Sequence, residues 1–192
     1  MTKVDGCELH SLETGSDSGL PVLLLHGKNF QAETWRELGT LDMLAQMDVR
    51  VIALDLPGFG KSPESSVMPA EMVSHFCAER RLAPTVVVGP SMGGRVAMEF
   101  AIREPECIAG LVLIGAVGVE ENRADLKRIT APTLILWGEQ DQISPLANSD
   151  ILLQELPQAR REIYPEAPHP CYLTLPDRWH ASLRDFVTGL LF

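Results

Sequence analysis

Short runs of Val, Ile and Leu alternate along the chain with longer segments whose apolar residues recur every three or four positions. The runs are Pro21–His26, Arg50–Asp55, Thr85–Gly89, Ile108–Ile114 and Pro132–Gly138. They are apolar at successive positions, the pattern of strands covered on both faces, as in a parallel sheet. A shorter run, Arg161–Tyr164, supplies a last strand. Between the runs, helical windows span Glu33–Met47, Pro69–Arg81, Ser91–Arg103, Pro145–Leu156 and Pro176–Leu191. Trp35, Leu38, Leu41, Leu44 and Ala45 mark one face of the first, and Leu146, Ile151, Leu152 and Leu156 one face of the fourth. This alternation predicts an α/β fold: a mostly parallel, doubly wound sheet with helices on both faces. The segment Val4–Thr14 is expected to add an antiparallel strand or two at one edge. No internal repeat or low-complexity stretch interrupts the pattern, so residues 1–192 read as one domain.

Composition narrows the function classes. The formal net charge is −10, which disfavours nucleic acid, itself a polyanion. No stretch approaches the roughly 20 apolar residues of a membrane helix. The opening residues, Met1 to His10, are polar and acidic, without the apolar run of a secretory leader. A cytoplasmic protein is expected. Cys7, Cys77, Cys107 and Cys171 are far apart and form no C-x-x-C pair. Neither a zinc site nor a disulfide framework is expected, and no motif calls for a cofactor.

The chemistry concentrates at Gly89-Pro90-Ser91-Met92-Gly93, a G-x-S-x-G string that follows a predicted strand and opens a predicted helix. Such a turn is tight, and side chains two positions before or after the serine would meet backbone; glycine at both positions removes the clash. Gly94 eases close helix–strand packing. A serine hydroxyl needs a base to become a nucleophile. His169, in a loop after the last predicted strand, is the candidate, because imidazole titrates near neutrality. His10 lies too early, His75 and His180 fall inside helices, and His26 is expected to hold its own loop in place. Asp141, just past the strand Pro132–Gly138, is the candidate to orient His169. Glu139 is the alternative acid, and Glu120 and Glu121 are weaker ones.

Acyl transfer also needs N–H donors for the oxyanion. The backbone N–H of Met92, at a helix N-terminus, is one candidate. The N–H of Lys28, in His26-Gly27-Lys28-Asn29-Phe30, is the other. Gly60-Lys61-Ser62 resembles the end of a phosphate-binding loop, but the full pattern requires glycine where Asp55 stands, so a nucleotide site is rejected.

Taken together, LLLHG, DLPGFGKS, GPSMGG, PTLILWGEQD and APHP resemble the α/β-hydrolase superfamily across nearly the whole chain. HGKNFQAETWRELGTLDMLAQ, VIALDLPGFGKS and HPCYLTLPDRWHASLRDFVTGL resemble more narrowly the small lidless subgroup called abhydrolase domain-containing fourteen. The resemblance implies the α/β-hydrolase fold with Ser91 as nucleophile, Asp141 as acid and His169 as base. It also implies hydrolysis of small acyl esters or thioesters, or transfer of an acetyl group to an acceptor such as coenzyme A. The nucleophile turn is more like that of general esterases than the serine-rich version of the subgroup. Only Gly115 to Thr130 separate two successive strands where many relatives insert a cap, so no cap domain and an open pocket are expected. Phe30, Val117, Ile143 and Cys171 flank the catalytic loops and are candidate wall residues, with core packing the competing role for each. A non-catalytic interaction module is the alternative from another class, and the full set of triad residues and glycines argues against it.

Overall fold

A computed structural model describes all 192 residues. In chain order its strands are β1 (Thr2–Val4), β2 (Cys7–Leu9), β3 (Ser11–Gly15), β4 (Leu20–Leu24), β5 (Val49–Leu54), β6 (Thr85–Pro90), β7 (Ile108–Ile114), β8 (Thr133–Gly138) and β9 (Ala159–Tyr164). The helices are α1 (Ala32–Glu37), α2 (Thr40–Ala45), α3 (Pro69–Arg80), α4 (Met92–Arg103), α5 (Val119–Asn122), α6 (Ala147–Glu155), α7 (Cys171–Thr174) and α8 (Pro176–Leu191). Seven strands form one sheet in the order β3-β5-β4-β6-β7-β8-β9. All neighbours in it are parallel except β3, which pairs antiparallel with β5 at the edge. This is the α/β-hydrolase fold, with no cap domain.

The continuous apolar strands work because each face has its own helical cover. Leu23, Val87, Leu111, Leu113, Ile135 and Trp137 pack with Met72, Phe76, Phe100 and Leu152 from α3, α4 and α6. Their strand neighbours Val22, Leu24, Val86, Val112, Leu134 and Leu136 pack with Trp35, Leu44, Trp179 and Leu183 from α1, α2 and α8. Burial of this apolar surface on both faces is the main favourable contribution to folding.

Two expectations change. The window Glu33–Met47 is not one helix: α1 and α2 are separated at Gly39, which takes φ 80° and caps α2. The apolar spacing persists across the break, so periodicity alone could not show it. The segment Val4–Thr14 contributes β3 to the sheet edge, but β1 and β2 pair only with each other in a separate two-stranded ribbon. Between β7 and β8 there is room only for α5 and a 3-10 turn over Arg123–Arg128. No helix is long and apolar enough to cross a membrane.

The loop after β5 is organised by a buried carboxylate. Asp55 Oδ1 accepts from the Ala32 N–H at 2.6 Å, where α1 begins, and Oδ2 from the Lys61 N–H at 2.9 Å. Oδ2 also lies 2.8 Å from His10 Nδ1. The Asp55 carbonyl accepts from the Ser62 hydroxyl at 2.7 Å. Three chain segments are thereby tied to one side chain that is only 2% exposed. Replacing Asp55 by alanine orphans buried donors, which costs about 2–4 kcal/mol. Urea unfolding of Asp55→Ala is expected to show that loss, with the slope unchanged.

Candidate active site

Strand β6 runs unbroken to Pro90 and α4 begins at Met92, so Ser91 alone makes the turn. It sits at φ 51°, ψ −116°, a region a residue with a side chain rarely occupies. Hydrogen bonds hold it there. The Ser91 N–H donates to the Ile114 carbonyl at 2.9 Å, and the Ser91 carbonyl accepts from the Arg95 and Val117 amides, both at 3.2 Å. The glycines provide the space. A Cβ on Gly89 would lie 2.3 Å from the Gly93 carbonyl oxygen, and one on Gly93 2.6 Å from the His26 carbonyl oxygen. On Gly94 it would meet the Ala116 Cβ at 2.6 Å.

Asp141 follows β8 and His169 follows β9. Asp141 Oδ1 accepts from the Ile143 and Ser144 amides at 2.9 and 2.8 Å, which fixes the carboxylate. Its Oδ2 lies 2.7 Å from His169 Nδ1. The Asp141 side chain is 2% exposed and that of His169 12%. A carboxylate at that distance assigns the proton to Nδ1 and leaves the Nε2 lone pair free. Gly115, which closes β7 at φ 50°, lies directly against this pair. A Cβ there would stand 2.9 Å from Asp141 Oδ2 and 3.0 Å from His169 Nδ1.

Ser91 and His169 open onto one cavity of about 520 Å³. No hydrogen bond joins the Ser91 hydroxyl to His169; the two groups share the cavity wall. Lys28 and Met92 also line it. Their backbone amides donate to no acceptor in the protein. Phe30, Val117 and Ile143 lie on the wall as well.

Cys171 does not. It is 2% exposed and, as the first residue of α7, packs into the core, while Pro170 and Tyr172 reach the cavity. Burial, with the Asp141 charge adding to it, pushes the Cys171 thiol up to about 12. Adjacency to His169 in the chain gave its place but not its direction. Arg95 and Gly115 were missed by sequence reasoning. Arg95 had a usable signal, since it stands one helical turn after Ser91 and so shares its face.

The other candidates are engaged elsewhere. Glu139 Oε2 accepts from the Glu166 amide at 2.9 Å. Glu120 lies 3.8 Å from Arg123. His180 Nε2 is 3.0 Å from the Thr40 hydroxyl, and His75 pairs with Asp5. His26 Nδ1 lies 2.9 Å from the Gly27 carbonyl, and its Nε2 accepts from the Leu56 amide at 3.0 Å. That pattern needs a neutral ring protonated at Nδ1. Accordingly burial draws the His26 pKa below the ordinary histidine value, against the Gly27 hydrogen bond and the Asp55 charge, which favour the cation.

A family model described as alpha/beta hydrolase fold matches residues 21–129. The chain belongs to the α/β-hydrolase family. It is 38% identical over 178 residues to a Rattus norvegicus protein described as putative protein-lysine deacylase ABHD14B, covering 88% of this chain and 83% of that one. It is 37% identical over 176 residues to Homo sapiens protein ABHD14A, covering 88% of this chain and 64% of that one. These relatives make it an α/β hydrolase of the ABHD14 type, and an enzyme. Among solved structures, a predicted CIB-like hydrolase from Thermoplasma acidophilum superposes with a TM-score of 0.92 at 26% identity, covering 97% of this chain and 95% of that one.

The neutral His26 of this hydrolase makes its stability depend on pH. Below about pH 6.5 the unfolded imidazole takes up a proton that the buried ring resists. The unfolded state then binds more protons, so stability falls as pH drops through that value. Denaturant unfolding between pH 7.5 and 5.5 (roughly one unit either side of the unperturbed value) is expected to show a smaller decline for His26→Gln than for the natural chain. Equal declines would assign the effect to other groups.

Proposed function

We propose that this hydrolase cleaves small acyl esters or thioesters through an acyl-enzyme on Ser91. The observation that carries the reading is His169, held by the buried Asp141 carboxylate, on the wall of the same cavity as the strained Ser91 turn. His169 Nε2 takes the Ser91 proton as Oγ attacks the acyl carbon. The negative charge that forms on the carbonyl oxygen is met by the unspent amides of Lys28 and Met92, the latter at the N-terminus of α4. Asp141 stabilises the imidazolium and holds its orientation. Collapse expels the alcohol or thiol, which receives the proton from His169. Water, activated by the same imidazole, then releases the acid and frees Ser91. A thiol in place of water, coenzyme A for instance, would turn the same intermediate to acyl transfer. The rat relative's description as a putative deacylase supports acyl removal. The chain is read as one catalytic domain working in the cytoplasm, consistent with its acidic charge and its four free cysteines.

Ser91→Ala is expected to lower kcat/KM for 4-nitrophenyl acetate at least about a thousandfold and to abolish labelling by a fluorophosphonate. Asp141→Asn should follow with a loss of about 10³–10⁴, while Glu139→Gln stays within about twofold. Substantial turnover by Ser91→Ala, or the reverse order for the two carboxylates, would refute the assignment. Adding coenzyme A to the assay reads out transfer as acyl-thioester formation.

Chain-length preference follows from the wall. No residue of Ser62–Pro69, the loop best placed to act as a substitute lid, lines the cavity. Each methylene contributes about 0.8 kcal/mol only where surface exists to bury it. Acetyl to butyryl esters are expected to give the highest kcat/KM across a series from acetate to decanoate, with large leaving groups tolerated. A maximum at eight carbons or more would contradict the open site.

A further inference from the structure

We propose that the cavity selects substrates carrying an anionic group, which the Arg95 and Lys28 side chains receive. The inference rests on the acyl-transfer reading of Ser91 and specifies its substrate class. The chain holds 26 acidic residues against 16 Lys and Arg. An average patch of its surface is therefore negative. The cavity wall is the reverse: Lys28 and Arg95 line it, and no Asp or Glu does.

The two cations come from opposite sides of the nucleophile. In the sheet β4 and β7 flank β6. Lys28 rises from the loop after β4, whereas Arg95 lies on α4 against Gly118, in the loop after β7. A Cβ on Gly118 would stand 2.8 Å from Arg95 Cδ, so the stem of Arg95 occupies the space that this glycine leaves. Glu99 accepts from Arg95 Nε at 2.7 Å, an i,i+4 pair that orients the guanidinium. The terminal nitrogens of Arg95 donate to no protein acceptor, and Lys28 enters no ion pair. Two parallel N–H groups on a planar fork match a carboxylate or a phosphate. Glu99 offsets part of the Arg95 charge and Glu121 lies near enough to add to that, so the uncompensated charge on the wall is mainly that of Lys28. An Arg95 that served only as a helix-surface partner of Glu99 would not discriminate between ligands.

The anionic group could reside on the acyl side or on the leaving side, and matched ester pairs separate the two. Ethyl hydrogen succinate against ethyl butyrate places the charge on the acyl group. 3-Acetoxybenzoate against its methyl ester places it on the leaving group. In at least one pair the anionic ester is expected to exceed the neutral one in kcat/KM by about tenfold at low salt, and the pair that responds identifies the side. Lys28→Gln, which keeps the backbone amide, should cut that ratio at least threefold and Arg95→Gln by a smaller factor that Arg95→Lys partly restores, and added salt should lower the ratio because the rim is exposed. Ratios at or below one in both pairs, with the neutral esters still cleaved, overturn the selection and leave the esterase reading intact. Failure to cleave any of the four overturns the esterase reading instead. Calorimetric binding of the same esters to Ser91→Ala then decides the selection on its own: preference for the anionic member supports it, and equal affinity overturns it.

Discussion

Ser91 is held at a backbone angle that costs about 1–3 kcal/mol for a residue with a side chain, and the structure around it is what makes that angle the stable one. The turn exists because α4 is pressed against the end of the sheet at backbone distance. Gly89 meets the Gly93 carbonyl, Gly93 meets the His26 carbonyl, and Gly94 meets Ala116. The Ser91 amide and carbonyl are bonded to β7 and to the loop beyond it. The neighbouring strands β4 and β7 therefore both contribute to the position of one side chain. The same approach brings the loop 27–30 beside Ser91, so the strain and the free Lys28 amide have one origin.

That loop needs a support of its own, and the stretch that resembles a phosphate-binding loop provides it. In a phosphate loop, glycine and backbone amides surround an anion. Here the anion is the chain's own Asp55. A Cβ on Gly60 would lie 2.2 Å from Asp55 Oδ2, and the Lys61 amide donates to that oxygen. Asp55 Oδ1 at the same time receives the first amide of α1. His26 spans the remaining gap, bonded to Gly27 on one side and to Leu56 on the other. Amides that could hold an external phosphate are thus committed to an internal carboxylate, which is a structural use of the same local geometry.

The strands were legible because a parallel sheet buried on both faces leaves a signature at successive residues. The predicted runs fall within about two residues of β4 to β9. The G-x-S-x-G turn was legible for a related reason: its demands on space are local, and glycines meet them within five residues. What stayed hidden depends on contacts between distant segments. Glu139 and Asp141 both follow β8, and only the fold shows one at the Glu166 amide and the other at His169. Gly115 serves a pair whose members lie on two other loops. Cys171 follows His169 closely in the chain and was expected on the wall, but which way α7 turns it, into the core, was not written in its neighbours. Gly39 interrupts an apolar period that continues unchanged across it.

The absence of a cap changes how electrostatics can act at this site. A lid would exclude water from the whole cavity and strengthen every charge in it. This fold dries a smaller volume. Asp141 is sealed under the sheet edge with its Oδ1 bonded to two amides, and His169 is nearly covered, so their interaction operates in a poorly hydrated environment. The rim cations remain exposed to water and salt. On the proposed mechanism the strongest interactions are accordingly those of the Asp141–His169 pair and of the Lys28 and Met92 amides, whose positions the backbone fixes. Recognition at the rim is left to weaker, screened charges, whose effect is on which substrates arrive and in what orientation, while on the proposed mechanism the chemical step draws on the covered Asp141–His169 contact.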